Sequence, residues 1–165
     1  MEIERKYLIR QLPDQLSNYP CLEIEQAYLN VKPVIRIRRQ DDLYYLTYKG
    51  DGMIAREEYN LPLNKASYEH LLHKADGNVM TKKRYLIPHP HPAYRTDGAD
   101  SSTFADSLMI ELDIFDAPFA PLMLAEVEFS SQAEADAFIP PEWLGEDVSL
   151  HAEYHNSTMS RKKFK

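Results

Sequence analysis

MEIERKYLI, residues 1–9, is the stretch on which the fold turns. Read with a period of two, Met1, Ile3, Tyr7 and Ile9 fall mostly on one side, and Glu2, Glu4 and Lys6 on the other. A half-buried strand needs apolar residues inward and loosely mixed polar residues outward, with no preferred order of charge. Two carboxylates and an ammonium in succession on one face ask for another explanation.

Seven further stretches read as strands, each rich in Tyr, Ile, Val or Phe. LEIEQAYL precedes VIRIRR, in which Ile35 and Ile37 alternate with Arg36 and Arg38. In LYYLTYKG, Tyr44, Leu46 and Tyr48 alternate with Tyr45, Thr47 and Lys49. AREEYNL sets Arg56, Glu58 and Asn60 on one face, and MTKKRYLI does the same with Lys82 and Arg84. LMIELDIF alternates Ile110, Leu112 and Ile114 with Glu111 and Asp113, and LAEVEF opposes Val127 and Phe129 to Glu126 and Glu128.

Two helices are expected. NKASYEHLLHKADG has an Asn64 cap, apolar residues at helical spacing and Gly77 as a stop; SSQAEADAF has the capping-box pair Ser131 and Glu134. IPHPHPAYRTDGADSSTF reads as a long loop, in which His89 and His91 are exposed rather than metal-bound. Cys21 reads as a small buried hydrophobe and Trp143 as a packing anchor. No linker divides residues 1–165, so one domain is expected.

Composition narrows the class. A hydrophobic fraction of 44% and a charged fraction of 27% are those of a globular chain. A single cysteine, no long apolar run and a charged start point to the cytoplasm, with no membrane span and no leader. A net charge of −7 argues against nucleic acid as a partner.

The charged faces form one constellation. Arg-x-Arg, Lys-x-Arg, Glu-x-Asp and Glu-x-Glu place like charges about 7 Å apart on a strand face, where they repel. Basic strands (Arg36, Arg38, Lys49, Arg56, Lys82, Arg84) and acidic positions (Glu2, Glu4, Glu58, Glu111, Asp113, Glu126, Glu128) are segregated, with Lys6 among the latter. Carboxylates suit Mg²⁺ or Mn²⁺, and arginine forks suit phosphate oxygens. If about eight antiparallel strands close into a barrel, these faces line a wet lumen and the apolar faces pack outward against the helices. The expected class is therefore α+β, mainly antiparallel β: a closed β-barrel with a few flanking helices.

The ordered motifs resemble those of the CYTH proteins, the triphosphate tunnel metalloenzymes. Glu2-x-Glu4-x-Lys6 is similar to their E-x-E-x-K signature, and QAYL, VIRIRR, LTYKG, REEYN, TKKRYLIP, ELDIF, LAEVEF and YHNSTM follow in the family's order. The resemblance implies an eight-stranded tunnel that binds a triphosphate with divalent metal. It implies that Arg36, Arg38, Lys49, Lys82 and Arg84 grip phosphate, joined by Arg56 and Lys6. Glu2, Glu4, Glu126, Glu128 and Asp113 would hold Mg²⁺ or Mn²⁺, supported by Glu58 and Glu111. Glu126, Glu128, Glu4 and Lys6 are the residues expected at the chemistry. Asn60 departs from the family, which often has a second Glu there, and Pro121 stands where Gly is usual. The tail Arg161, Lys162, Lys163 and Lys165 reads either as exposed or as approaching one mouth.

The expected function is metal-dependent hydrolysis of a small triphosphate: tripolyphosphate, or a nucleoside or thiamine triphosphate. Two alternatives remain: an adenylyl cyclase of the tunnel type, and a polyphosphate- or nucleotide-binding module without turnover. Pairing as a homodimer is left open.

Overall fold

The computed structural model describes residues 1–97 and 100–164; Lys165 and part of the long Pro-rich segment lie outside it. Each stretch with two-residue alternation forms a strand. They are β1 (Glu2–Ile9), β2 (Cys21–Val31), β3 (Val34–Gln40) and β4 (Leu43–Lys49), then β5 (Ala55–Arg56) and β6 (Glu58–Leu63), into which AREEYNL breaks at Glu57. After helix α1 (Lys65–Leu72) come β7 (Asp76–Pro90), β8 (Ala93–Tyr94), β9 (Ser107–Phe115) and β10 (Met123–Glu128). Helix α2 (Gln132–Ala137), β11 (Phe138–Ile139), β12 (Leu144–Asp147) and the short helix α3 (Asn156–Met159) complete the chain.

The strands pair in the order β12-β1-β10-β9-β7-β2-β3-β4-β6, with β5 also on β1 and with β8 and β11 as a separate pair. Every pairing is antiparallel. The expected closed eight-stranded barrel does not form. Closure would need β6 to pair along β1, but among the described residues β6 pairs only with β4. The free edge of β1 is instead covered by the two-residue β5 at Glu2 and Ile3 and by β12 at Tyr7 and Ile9. Pro62, which offers no N–H, suits β6 to an edge position. The sheet is curled but has two ends.

The outward faces pack as the alternation requires, with one exception. Tyr7, Ile110, Leu112, Val127 and Phe129 form a core closed by Ala135 of α2 and Phe138. Ile37 and Ala27 pack under Tyr68 of α1. On β6 the corresponding residues Tyr59 and Leu61 face solvent. Among the described residues no helix is long and apolar enough to cross a membrane.

Local chemistry accounts for the ends of the elements. Asn64 Oδ1 accepts from Ser67 N at 2.7 Å, and Ser131 Oγ accepts from Glu134 N at 3.1 Å. The Glu134 carboxylate does not complete the expected box with Ser131. It accepts from Ser130 N and Oγ, Ala105 N and Tyr94 Oη, which ties the Pro-rich segment to α2. Gly77 is not a helix stop, since it already belongs to β7. Its φ of +72° favours glycine, and the missing Cβ lets Ser160 O approach to 2.2 Å of where that atom would stand. His89 lies within β7 and stacks edge-on against Phe138, Cys21 is exposed at the start of β2, and Trp143 packs on the core beside α2.

Candidate active site

The concave side of the sheet encloses a cavity of about 390 Å³. Twelve of the fourteen residues singled out from the sequence line it: Glu2, Glu4 and Lys6 from β1, Arg36 and Arg38 from β3, Lys49 from β4, Arg56 from β5, Glu58 from β6, Arg84 from β7, Glu111 from β9, and Glu126 and Glu128 from β10. Six of these are cations and six are carboxylates. Lys82 and Asp113 are not on the wall. They form a 2.8 Å ion pair behind it, both side chains 0% exposed.

The cations fall into two groups according to their partners. Arg84 is held on every side by carboxylates. Its Nε and Nη2 donate to the two oxygens of Asp113 at 2.7 and 2.8 Å, and it reaches Glu111 and Glu126 as well. Lys49 pairs with Glu2 at 2.8 Å, and Lys6 with Glu126 at 3.4 Å. Arg36 and Arg38 are buried too, yet among the described residues neither has a carboxylate partner. Arg36 Nη2 donates to Thr47 Oγ1 at 3.2 Å, and Arg38 donates twice to Gln26 Oε1. Burial, with Arg36 and Arg84 nearby, lowers the pKa of Arg38. An isolated buried cation is costly, so an anion could be accommodated in this corner.

The carboxylates divide in the same way. Burial works against ionisation of Asp113, but Arg84 and Lys82 hold its pKa below the usual range. Glu126 is likewise held down by Lys6 and Arg84 against the cost of burial. Glu4 faces Glu128 directly across the β1–β10 ladder. Burial first, and Glu126 second, push Glu4 up to about 8. Burial and the neighbouring Glu2 raise Glu128, and burial with a hydrogen bond shared with Glu2 raises Glu58. Opposed carboxylates destabilise a strand pair unless a cation lies between them.

That arrangement fits a divalent metal. Among the described residues no three acidic, histidine or cysteine side chains form a ready-made cage. Mg²⁺ commonly takes only one or two carboxylates and fills its remaining positions with phosphate oxygens and water. Glu4 and Glu128 are placed for that, with Glu2 and Glu126 beside them. The balanced wall of six cations and six carboxylates also favours a polyanion that arrives together with cations.

Several lining residues lay outside the sequence reading of the site. Tyr28, Gln40 and Tyr45 continue the alternate faces that carry the arginines and Lys49, so their signal was periodicity followed a step further. His155, Asn156 and Ser157 come from the C-terminal segment, which has no strand period; their signal was the YHNSTM motif, to which no site role was given. Asn156 Oδ1 meets Lys82 Nζ at 3.4 Å, and Tyr154 O accepts from Lys6 Nζ at 3.1 Å. Arg161 and Lys162 line a separate groove with Lys32 and Glu153, and Lys165 lies outside the described residues.

Comparison with known proteins gives a consistent picture. The sequence model of the CYTH domain matches residues 1–140. An inorganic triphosphatase of Nitrosomonas europaea is 33% identical over 162 residues, covering 96% of each chain. A crystal structure of an inorganic triphosphatase superposes with a TM-score of 0.68 at 31% identity, covering 99% of this chain and 96% of the other. A further crystal structure, of a protein described as hypothetical, gives 0.67 at 33% identity over 98% of this chain and 99% of the other.

Proposed function

The chain belongs to the CYTH domain family, and we propose that it is a metal-dependent triphosphatase whose substrate is inorganic tripolyphosphate. One observation carries the reading. Buried guanidiniums (Arg36, Arg38) share a cavity with opposed carboxylates (Glu4, Glu128), and among the described residues none of the four has an ion-pair partner. A phosphate chain accompanied by a divalent metal satisfies both at once. The likeness to an inorganic triphosphatase over nearly the full length supports tripolyphosphate over an organic triphosphate.

In this reading Arg36 and Arg38 bind phosphate oxygens through their free donors, aided by Arg56, Lys49 and Lys6. Water attacks the terminal phosphorus, the bridging P–O bond breaks, and phosphate and diphosphate leave. The negative charge that gathers on the departing oxygen is offset by guanidiniums already fixed in place, which costs no reorganisation at that moment. Glu4 and Glu128, with Glu2 and Glu126, hold Mg²⁺ or Mn²⁺, which when bound supplies Lewis-acid stabilisation of the same charge. Asp113, with both oxygens already engaged, serves by fixing Arg84 and Lys82. The exposed, unpaired Cys21 fits a reducing cytoplasm.

The test is phosphate release from tripolyphosphate with Mg²⁺ or Mn²⁺ against a chelator control. Metal-dependent release that is lost in Glu128→Gln is the expected result. No release above that variant would overturn the reading, and so would cyclic AMP with diphosphate as the products from ATP.

A further inference from the structure

Gln26 is fully buried in β2 and stands directly across the ladder from Arg38. Its Oε1 accepts from Arg38 Nε at 3.1 Å and Nη2 at 2.7 Å. Arginine only donates, so the oxygen of the amide must face the guanidinium and the amide cannot be flipped. Its Nε2 therefore points away, and among the described residues it is buried without a partner.

A glutamate has the same shape as glutamine. At position 26 it would make a charge-assisted pair with Arg38 and would leave no orphaned amide hydrogens. If this side chain served only to stabilise the fold, the glutamate would be the better residue. The chain instead keeps a neutral acceptor beside a buried arginine that has Arg36 and Arg84 for neighbours. What this arrangement preserves is the positive charge of Arg38, on the cavity wall, in a fixed orientation.

We propose that Gln26 is a positioning residue for the reaction: it orients the Arg38 guanidinium toward the phosphate chain and, by being uncharged, leaves its charge for the ligand. The inference rests on the triphosphatase reading and deepens it, because it names the residue that keeps one phosphate subsite cationic. Carboxylates orient Arg84 one strand beyond β2; an amide orients Arg38 here.

The test is a double-mutant cycle on the full chain, with tripolyphosphate hydrolysis and calorimetric binding of tripolyphosphate as separate readouts. Gln26→Glu should raise KM and weaken binding by about tenfold or more, the scale of one lost charge-assisted contact, with kcat changed less than about threefold and Tm no lower than wild type. In an Arg38→Ala background the same substitution should change neither KM nor affinity. A folded Gln26→Glu protein with wild-type KM, or a penalty that persists without Arg38, overturns the assignment. Gln26→Met decides the matter if Gln26→Glu does not fold, since it removes the acceptor without adding charge. Its KM should rise only when Arg38 is present, and a wild-type KM overturns the assignment. If the wild-type chain neither binds nor cleaves tripolyphosphate, the triphosphatase reading fails instead, which is a separate outcome.

Discussion

Arg36 and Arg38 on β3 and Lys82 and Arg84 on β7 are the same device twice: two cations with one residue between them, on strands separated only by β2. Their circumstances are opposite. The β3 pair is flanked by Tyr28 and Gln26 on one side and Thr47 and Tyr45 on the other, all uncharged. Beside the β7 pair runs β9, with Asp113 in register with Arg84, and Glu111 and Glu126 within reach. A doublet of cations becomes scaffold where its neighbours neutralise it and becomes a binding group where they do not. Register decides which.

The largest way to break that contrast lies on the β7 side. Asp113→Ala would leave Lys82 and Arg84 buried and short of their shared counter-ion, and losing one partner of a buried pair costs about 3–5 kcal/mol. Chemical denaturation should show that loss. A variant as stable as wild type would mean that Asp113 is no scaffold at all. The β3 side should respond differently. Arg38→Ala removes a cation with no carboxylate partner and leaves the buried Gln26 acceptor unpaired, so stability should fall by only about 1–3 kcal/mol, less than in Asp113→Ala. Activity should fall about 10- to 100-fold in kcat/KM, mostly through KM, the size of a lost charge-assisted contact of about 1.5–3 kcal/mol. If the two substitutions destabilise alike, the contrast is void.

A pH titration sharpens the acidic half of the comparison. Glu4 titrates near 8 in the folded chain, against an ordinary value of 4.5. Between those limits the folded state keeps a proton that the unfolded chain has released, so stability falls as pH rises through the interval. Since Glu4 is only partly buried, the change measured with chelator present should be on the order of 1–2 kcal/mol. Mg²⁺ should flatten the slope by favouring the ionised carboxylate, and Glu4→Gln should remove most of it. A slope untouched by either change would place the titration at another group.

Much of this was legible in the sequence, because a strand's alternation survives whatever the strand pairs with. Glu2, Glu4, Lys6, Arg36, Arg38 and Glu128 were placed on one face by period alone, and that face does line the cavity. Closure was not legible. It depends on what covers β1, and the coverer is β12, a four-residue strand with no alternation to announce it, together with the break at Glu57 that leaves β5 two residues long. The division between Arg38 and Arg84 was hidden for a related reason. Both lie in basic doublets, and only the cross-strand register brings Gln26 to one and Asp113 to the other. The roles of His155 and Asn156 depend on the C-terminal segment crossing β7 at Gly77, a contact between residues far apart in the chain.

The smallest expected effect bears on how neutral the β3 surroundings must be. Asn60 Oδ1 accepts from Thr47 Oγ1 at 2.6 Å, and Thr47 Oγ1 accepts in turn from Arg36 Nη2 at 3.2 Å. Asn60→Glu keeps the acceptor for Thr47 and adds a carboxylate at the end of this relay, making β3 more like β7. Asn60 is exposed at the cavity mouth, so solvent and salt screen the new charge, and its interaction with Arg36 should amount to about 0.2–1 kcal/mol. KM for tripolyphosphate should therefore rise no more than about fivefold at low ionic strength, and the difference should fade as salt is added. The same titration can be repeated against metal concentration. A lower half-saturating Mg²⁺ with unchanged KM would show the new carboxylate siding with Glu58 and Glu128 rather than with Arg36. In that case uncharged neighbours at Arg36 would be incidental, and only those at Arg38 would matter.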